Sequence, residues 1–289
     1  MRMLFGCALP VFLSVGHVTA QSGTIVYAWT AFLNVQAPGE MAAVRRVFEA
    51  GSRVPFVLHF TPSESLMVKS RSVESESGLS LPTSTFRPNN DNLNVLVEIL
   101  DAWFAAEPHV LRQAYVDVHG SGVRVLNSLY GEQHRIETGV APVDWTVTDE
   151  QREHLGYRVT VAVGEVEGES VEAWFAPDIP VPGGPAAYGG LPGMILMLSL
   201  DEGRTMYAAK EVSLDGVEDG LIRMPEVGEA STEEEYRSIV TGEVRNFRQY
   251  VRRMDRTFGN VRCTVGLPLM EAPGLALLQC MQSRGNLLR

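Results

Sequence analysis

The sequence predicts a β-rich α+β fold: a strongly curved antiparallel sheet or partial barrel carrying a few packed helices. A two-sheet β-sandwich is the alternative. Three observations predict it. Many runs between Thr24 and Val212 are rich in β-branched and aromatic residues or alternate apolar with polar, as half-buried strands do. Several are separated by short glycine-bearing connections, which favour hairpins. Only three segments carry apolar residues at clear helical spacing.

Thr24–Phe32 reads as the first strand. Pro38 and Gly39 punctuate it, and Glu40–Ala50 follows as a helix with Met41, Val44, Val47 and Phe48 on one face. Gly51 ends that helix. In Val54–Phe60, Phe56, Leu58 and Phe60 alternate with Val57 and His59, again a strand. Lys69–Asn92 is rich in Ser, Thr, Pro and Asn and reads as a surface loop. Leu93–Ala106 is the second helix, stopping before Pro108. Ala114–His119, Val123–Leu129 and Gln133–Thr138 are strands of a meander.

Asp144–Val147 is a short strand before the polar Thr148–Glu153. Tyr157–Val166 and Val171–Phe175 form a hairpin about Glu167-Gly168. Met194–Leu200 and Thr205–Val212 form another about Asp201–Gly203. Ser231–Met254 is the clearest helix. Tyr236, Ile239, Val240, Val244, Phe247, Val251 and Met254 make its apolar stripe, and Ser231/Glu234 or Thr232/Glu235 can form a capping box. Glutamates at its start and arginines at its end suit the helix dipole.

Composition narrows the function classes. The chain has 289 residues, 45% of them hydrophobic, enough for a sizeable core. Its net charge of -11 argues against nucleic-acid binding and against docking on anionic lipid. All basic residues except Lys69 and Lys210 are arginines. The N-terminus has the layout of a secretory signal peptide over 1–20: Arg2, an apolar run from Leu4 to Val18, then Val18-Thr19-Ala20 before Gln21. Cys7 precedes most of the apolar run, so it does not make a lipoprotein box. No segment approaches a transmembrane helix. A single domain over 21–256 and a tail over 257–289, partly ordered at most, complete the expected organisation. In an oxidising compartment Cys263 and Cys280 can pair; two free thiols are the equal alternative.

Standard catalytic signatures are missing. There is no nucleophile elbow, phosphate loop, dinucleotide fingerprint or zinc-protease helix. No pattern calls for a cofactor or a metal. His119 near Ser121 is a turn, and the other histidines are scattered.

The most informative segment runs from Ala173-Trp174-Phe175-Ala176-Pro177 to Tyr188-Gly189-Gly190-Leu191-Pro192-Gly193-Met194-Ile195. The prolines forbid helix, the glycines permit close turns, and the apolar end re-enters a sheet. This is a rigid crossover that either closes one end of the sheet, packing on Trp145 and Trp174, or contacts a ligand. The segment resembles the hallmark of the GLPGLI family of exported bacterial proteins, with Met194 where the family has its second leucine. Trp145, Thr148–Glu153 and Gly156-Tyr157 resemble the stretch upstream of the hallmark. Phe56–Phe60 with Glu64-Ser65-Leu66 resembles the family's early strand and turn. The likeness spans roughly Gly23 to Val212. The cysteine and lysine often found after Tyr157 are absent here.

The resemblance implies an exported protein of the periplasm or outer envelope of a Gram-negative bacterium, with no chemistry attached. The expected role is a non-enzymatic one, binding either a small apolar ligand or an envelope partner. The expected contact surface is Trp145, Trp174, Tyr188 and Gly190, Leu191, Pro192, Gly193, Met194 and Ile195. A periplasmic hydrolase or peptide-modifying enzyme is the alternative. It requires His119 or His154 to converge with Asp178 or another carboxylate.

Overall fold

In the first strand, β1 (Gly23–Ala31), burial alternates strictly, which points Ile25, Tyr27, Trp29 and Ala31 to one face. The computed structural model describes residues 21–51, 53–70, 83–105, 111–117, 122–129, 132–139, 143–258 and 263–266. Residues 1–20, read above as a signal peptide, and Cys280 lie outside the described residues. β1 is flanked by β2 (Arg53–Phe60) and β12 (Thr205–Ser213), both antiparallel. Register sets Tyr27 between Phe56 and Ala209, and Trp29 between Val54 and Tyr207. The apolar sets of the three strands therefore share one face. The Tyr27 hydroxyl donates to the carbonyl of Ile195 at 2.5 Å, and burial raises its pKa far above the ordinary phenol value.

The sheet continues on both sides. One flank holds β3 (Glu64–Lys69), β5 (Leu111–Asp117), β6 (Val123–Leu129), β7 (Glu132–Thr138) and the short β13 (Glu229–Ser231). The other holds β11 (Met194–Leu200), β10 (Glu169–Ala176), β9 (Tyr157–Val166) and β8 (Thr146–His154). The result is one curved, non-closed sheet of 12 strands, in the order β13-β7-β6-β5-β3-β2-β1-β12-β11-β10-β9-β8. All of its pairings are antiparallel except β13 with β7. The sandwich alternative does not occur, because the β1–β12 ladder joins the two meanders edge to edge into one sheet.

A second cluster lies beside the sheet. It is built on α1 (Met41–Gly51), α2 (Asn90–Ala105) and a two-stranded ribbon of β4 (Thr83–Phe86) with β14 (Cys263–Gly266). Phe48 meets Trp103 edge to face at 5.9 Å. Phe86 and Cys263 are fully buried here. Asn89 caps α2, its Oδ1 accepting from the Asn92 N–H at 2.8 Å. The last helix, α3 (Glu233–Phe258), adds Tyr236 to this cluster.

One strand left unassigned in the sequence is added, and two local expectations are corrected. Glu64–Lys69 is a strand, paired with β2 and β5. The expected loop Lys69–Asn92 contains β4, ordered by pairing with a segment almost 180 residues later (about 180 by the register of Phe86 with Cys263). The polar Thr148–Glu153 belongs to β8, an edge strand with one partner, so both of its faces stay largely exposed.

Candidate functional site

Gly193 shows why the crossover between β10 and β11 is so specified. A Cβ there would lie 2.3 Å from the carbonyl oxygen of Ala176, so the strand exit and re-entry touch backbone to backbone. Between them the chain folds back along β11. The Met194 N–H donates to the Ile179 carbonyl at 2.9 Å, and the Ile195 N–H to the Gly183 carbonyl at 2.9 Å. Gly190, at φ +86°, donates to the Pro182 carbonyl at 3.1 Å. Ile179, Val181 and Leu191 are buried within the sheet's apolar cluster. Trp145 fixes the outer turn, its Nε1 donating to the Gly189 carbonyl at 2.9 Å. The crossover is a plug in one end of the curved sheet.

The plug has an inner tip. The Ala186 N–H lies 3.3 Å from Met67 Sδ on the interior face. Ala186 sits at φ 55°, a left-handed conformation unfavourable for a residue with a Cβ. The other described non-glycine residues at positive φ are Leu155, Glu167, Asp201 and Glu202, which all occupy hairpin connections. Ala186 is held in its strained state by the plug.

Above the tip opens a cleft of about 1310 Å³. Ala186 and Tyr188 form its base. Leu111, Ala114 and Val125 line one wall, and Val171, Leu200 and Tyr207 the other. α3 lies across it. At the mouth, the β9–β10 hairpin presents Glu165, Glu167 and Glu169, while α3 presents Arg237, Arg245 and Arg248. Arg237 pairs with Glu167 at 3.5 Å and with Glu233 at 3.1 Å; Arg248 pairs with Asp101 at 2.6 Å. The lining mixes these apolar side chains with acidic and basic ones, which suits a ligand with an apolar body and a polar end.

The structure separates the residues expected to share one surface. Tyr188 lines the cleft. Gly190, Leu191, Pro192, Gly193, Met194 and Ile195 belong to the plug, and Met194 and Ile195 are fully buried. Trp174 alternates with the interior residues Ala173 and Phe175 and so faces the other way. The Arg152 guanidinium stacks on it at 4.3 Å, and its Nε1 donates to Glu172 at 2.8 Å. Cys263 is buried beside Phe86's strand, apart from the cleft.

The alternative enzymatic site does not assemble among the described residues. His154 bonds the Ala209 carbonyl at 2.9 Å and packs edge-on against Trp174. Asp178 is exposed in the turn after β10. His119 lies outside the described residues. Among the described residues no group of three or more His, Cys, Asp or Glu is arranged to hold a metal.

Sequence reasoning missed Ala186, Leu200 and Tyr207, which come together only through sheet curvature. The arginines of α3 had a usable signal. Arg237, Arg245 and Arg248 recur at helical spacing beside the apolar stripe.

Residues 143–197 match a family described as a protein of unknown function, Porph_ging. It is an uncharacterised bacterial family. The match runs from just before β8 into β11, and so contains Trp145, the whole plug and its strained tip. No curated protein matches the chain. Two solved structures, of PNGF-II in the P21 and C2 space groups, are similar at 15% identity with a TM-score of 0.45. The similarity covers 77% of this chain and 33% of each of those chains, so this chain spans about a third of their length.

Proposed function

We propose that this is an exported bacterial envelope protein of the GLPGLI type that binds a small, mostly apolar ligand in the cleft, without catalysing a reaction on it. The observation that carries the reading is the tip of the plug. The family-matched segment contributes a strained alanine and Tyr188 to the lining of the cleft, beside the apolar Leu111, Val171 and Leu200. A tip needed only to close the sheet has no reason to retain backbone strain beside open space. The N-terminal leader pattern supports export. A second reading, assembly with an envelope protein, is favoured by Leu221, Met224 and Val227, which are exposed on the segment joining β12 to β13.

The test uses the neutral probe N-phenyl-1-naphthylamine, whose fluorescence rises in apolar surroundings. The wild-type protein is expected to bind it in a saturable way. Tyr188→Ala should weaken binding about tenfold, roughly the loss of one well-packed aromatic contact, with an unchanged melting profile. Absence of saturable binding, or equal binding by a folded Tyr188→Ala protein, would refute ligand carriage in the cleft.

A further inference from the structure

We infer that the polar end of the ligand is a carboxylate received by Arg245, so that the cleft takes long-chain carboxylates; this inference rests on the cleft being the binding site. Among the described residues four arginines line the cleft: Arg204, Arg237, Arg245 and Arg248. Three of them already have carboxylate partners. Arg204 pairs with Asp201 at 2.6 Å, and Arg237 with Glu233 at 3.1 Å and Glu167 at 3.5 Å. Arg248 holds Asp101 with two prongs, Nη2 to Oδ2 at 2.6 Å and Nε to Oδ1 at 2.9 Å, so both carboxylate oxygens are engaged. Arg245 is exposed and, among the described residues, has neither an ion pair nor a side-chain hydrogen bond.

Its own helix cannot supply the missing partner. The positions three and four residues away are Thr241, Gly242, Arg248 and Gln249, none of them acidic. Thr241 turns its hydroxyl to the Arg237 carbonyl at 2.8 Å. Arg248 adds a like charge one turn away. At this end of the mouth two arginines therefore face one carboxylate, and the local positive charge is unbalanced. The other end of α3 differs. There Glu167, with Glu165 and Glu169 within two residues of it, meets the helix at Arg237. Arg237 and Arg245 are separated by about 12 Å along the helix axis. Screening at physiological salt acts over about 8 Å. A head group at Arg245 thus feels its own arginines more than the carboxylates of the hairpin.

The donor type selects the head group. A guanidinium presents paired N–H donors that match the two oxygens of a carboxylate. Val244 precedes Arg245 and Ala102 follows Asp101, and both line the cleft with Leu111, so the wall turns apolar directly beside the charge. The cleft, at about 1310 Å³, has room for a long chain behind the head. An alcohol of the same length leaves Arg245 without its counter-charge, and an ammonium is repelled by it.

The experiment is displacement of N-phenyl-1-naphthylamine from the full chain by dodecanoate, dodecanol and dodecylammonium, each below its micellar concentration. The three share one chain and differ in the charge of the head. Dodecanoate should displace the probe at about threefold to fivefold lower concentration than dodecanol, the strength of an exposed ion pair, with dodecylammonium the weakest. The gap should narrow at high salt. In Arg245→Gln, with its folding checked by the melting profile, dodecanoate should fall level with dodecanol. Equal displacement by all three in wild type, or an undiminished preference for dodecanoate in Arg245→Gln, would overturn the carboxylate assignment while leaving the cleft reading in place. Failure of the neutral probe to bind wild type would instead remove the cleft reading, and this inference with it.

Discussion

Gly193 and His59 show how much single positions carry. At Gly193 any side chain collides with the backbone of Ala176, which cannot yield without moving β10. Gly193→Val is expected to cost about 3 kcal/mol or more, measured as a shift in the denaturation midpoint. His59 sits on the outer face, its Nδ1 3.1 Å from Thr24 Oγ1, and burial lowers its pKa below the ordinary value of 6.5. The unfolded chain therefore takes up the proton first as pH falls. Stability contributed by neutral His59 is complete above about 6.5 and is lost between there and the folded-state pKa. Wild type should lose more stability than His59→Gln between pH 7.5 and 5, about those limits chosen to bracket the imidazole range. Parallel pH profiles for the two proteins would contradict this. Tyr115 behaves oppositely: burial and its bond to Glu64 push its pKa up to about 12, so it stays a donor throughout this range.

At the scale of elements, α3 is the part most legible in the sequence. Its stripe and first turn predicted a helix, and the structure selects Thr232/Glu235 as the capping box. The Glu235 N–H donates to Thr232 Oγ1 at 3.1 Å, and the Thr232 N–H to Glu235 at 2.8 Å. That backbone donor, with the Thr232 side chain, holds the Glu235 carboxylate below its usual range. Thr232→Ala should cost about 1 kcal/mol and should raise hydrogen exchange in the first turn of α3 before it affects the sheet. Equal exchange in both proteins would show that the cap is idle. β8 and β4 were hard to read for opposite reasons. β8 lies at an edge, so little burial selects an apolar face. β4 is short and polar, and it becomes a strand only because β14 pairs with it.

The whole molecule decides the site. Two meanders, β1–β7 without β4 and β8–β12, join along the β1–β12 ladder, and the curved sheet then collects residues from Ala31 to Arg248 around one cleft. The binding loss expected for Tyr188→Ala belongs to this scale, because Tyr188 lines a chamber whose other walls are remote in sequence. Strands and helices were readable from the chain because alternation and helical spacing report burial one element at a time. The crossover's rigidity was readable because prolines and crowded glycines restrict the backbone locally. By itself, then, the sequence determined a β-rich fold, its three helices and a specified crossover. Only tertiary structure decided that the crossover is a plug, that Trp174 faces away from it, and that α3 covers the chamber. Those outcomes depend on curvature and on register between distant strands, and no short-range pattern of residue types encodes either one.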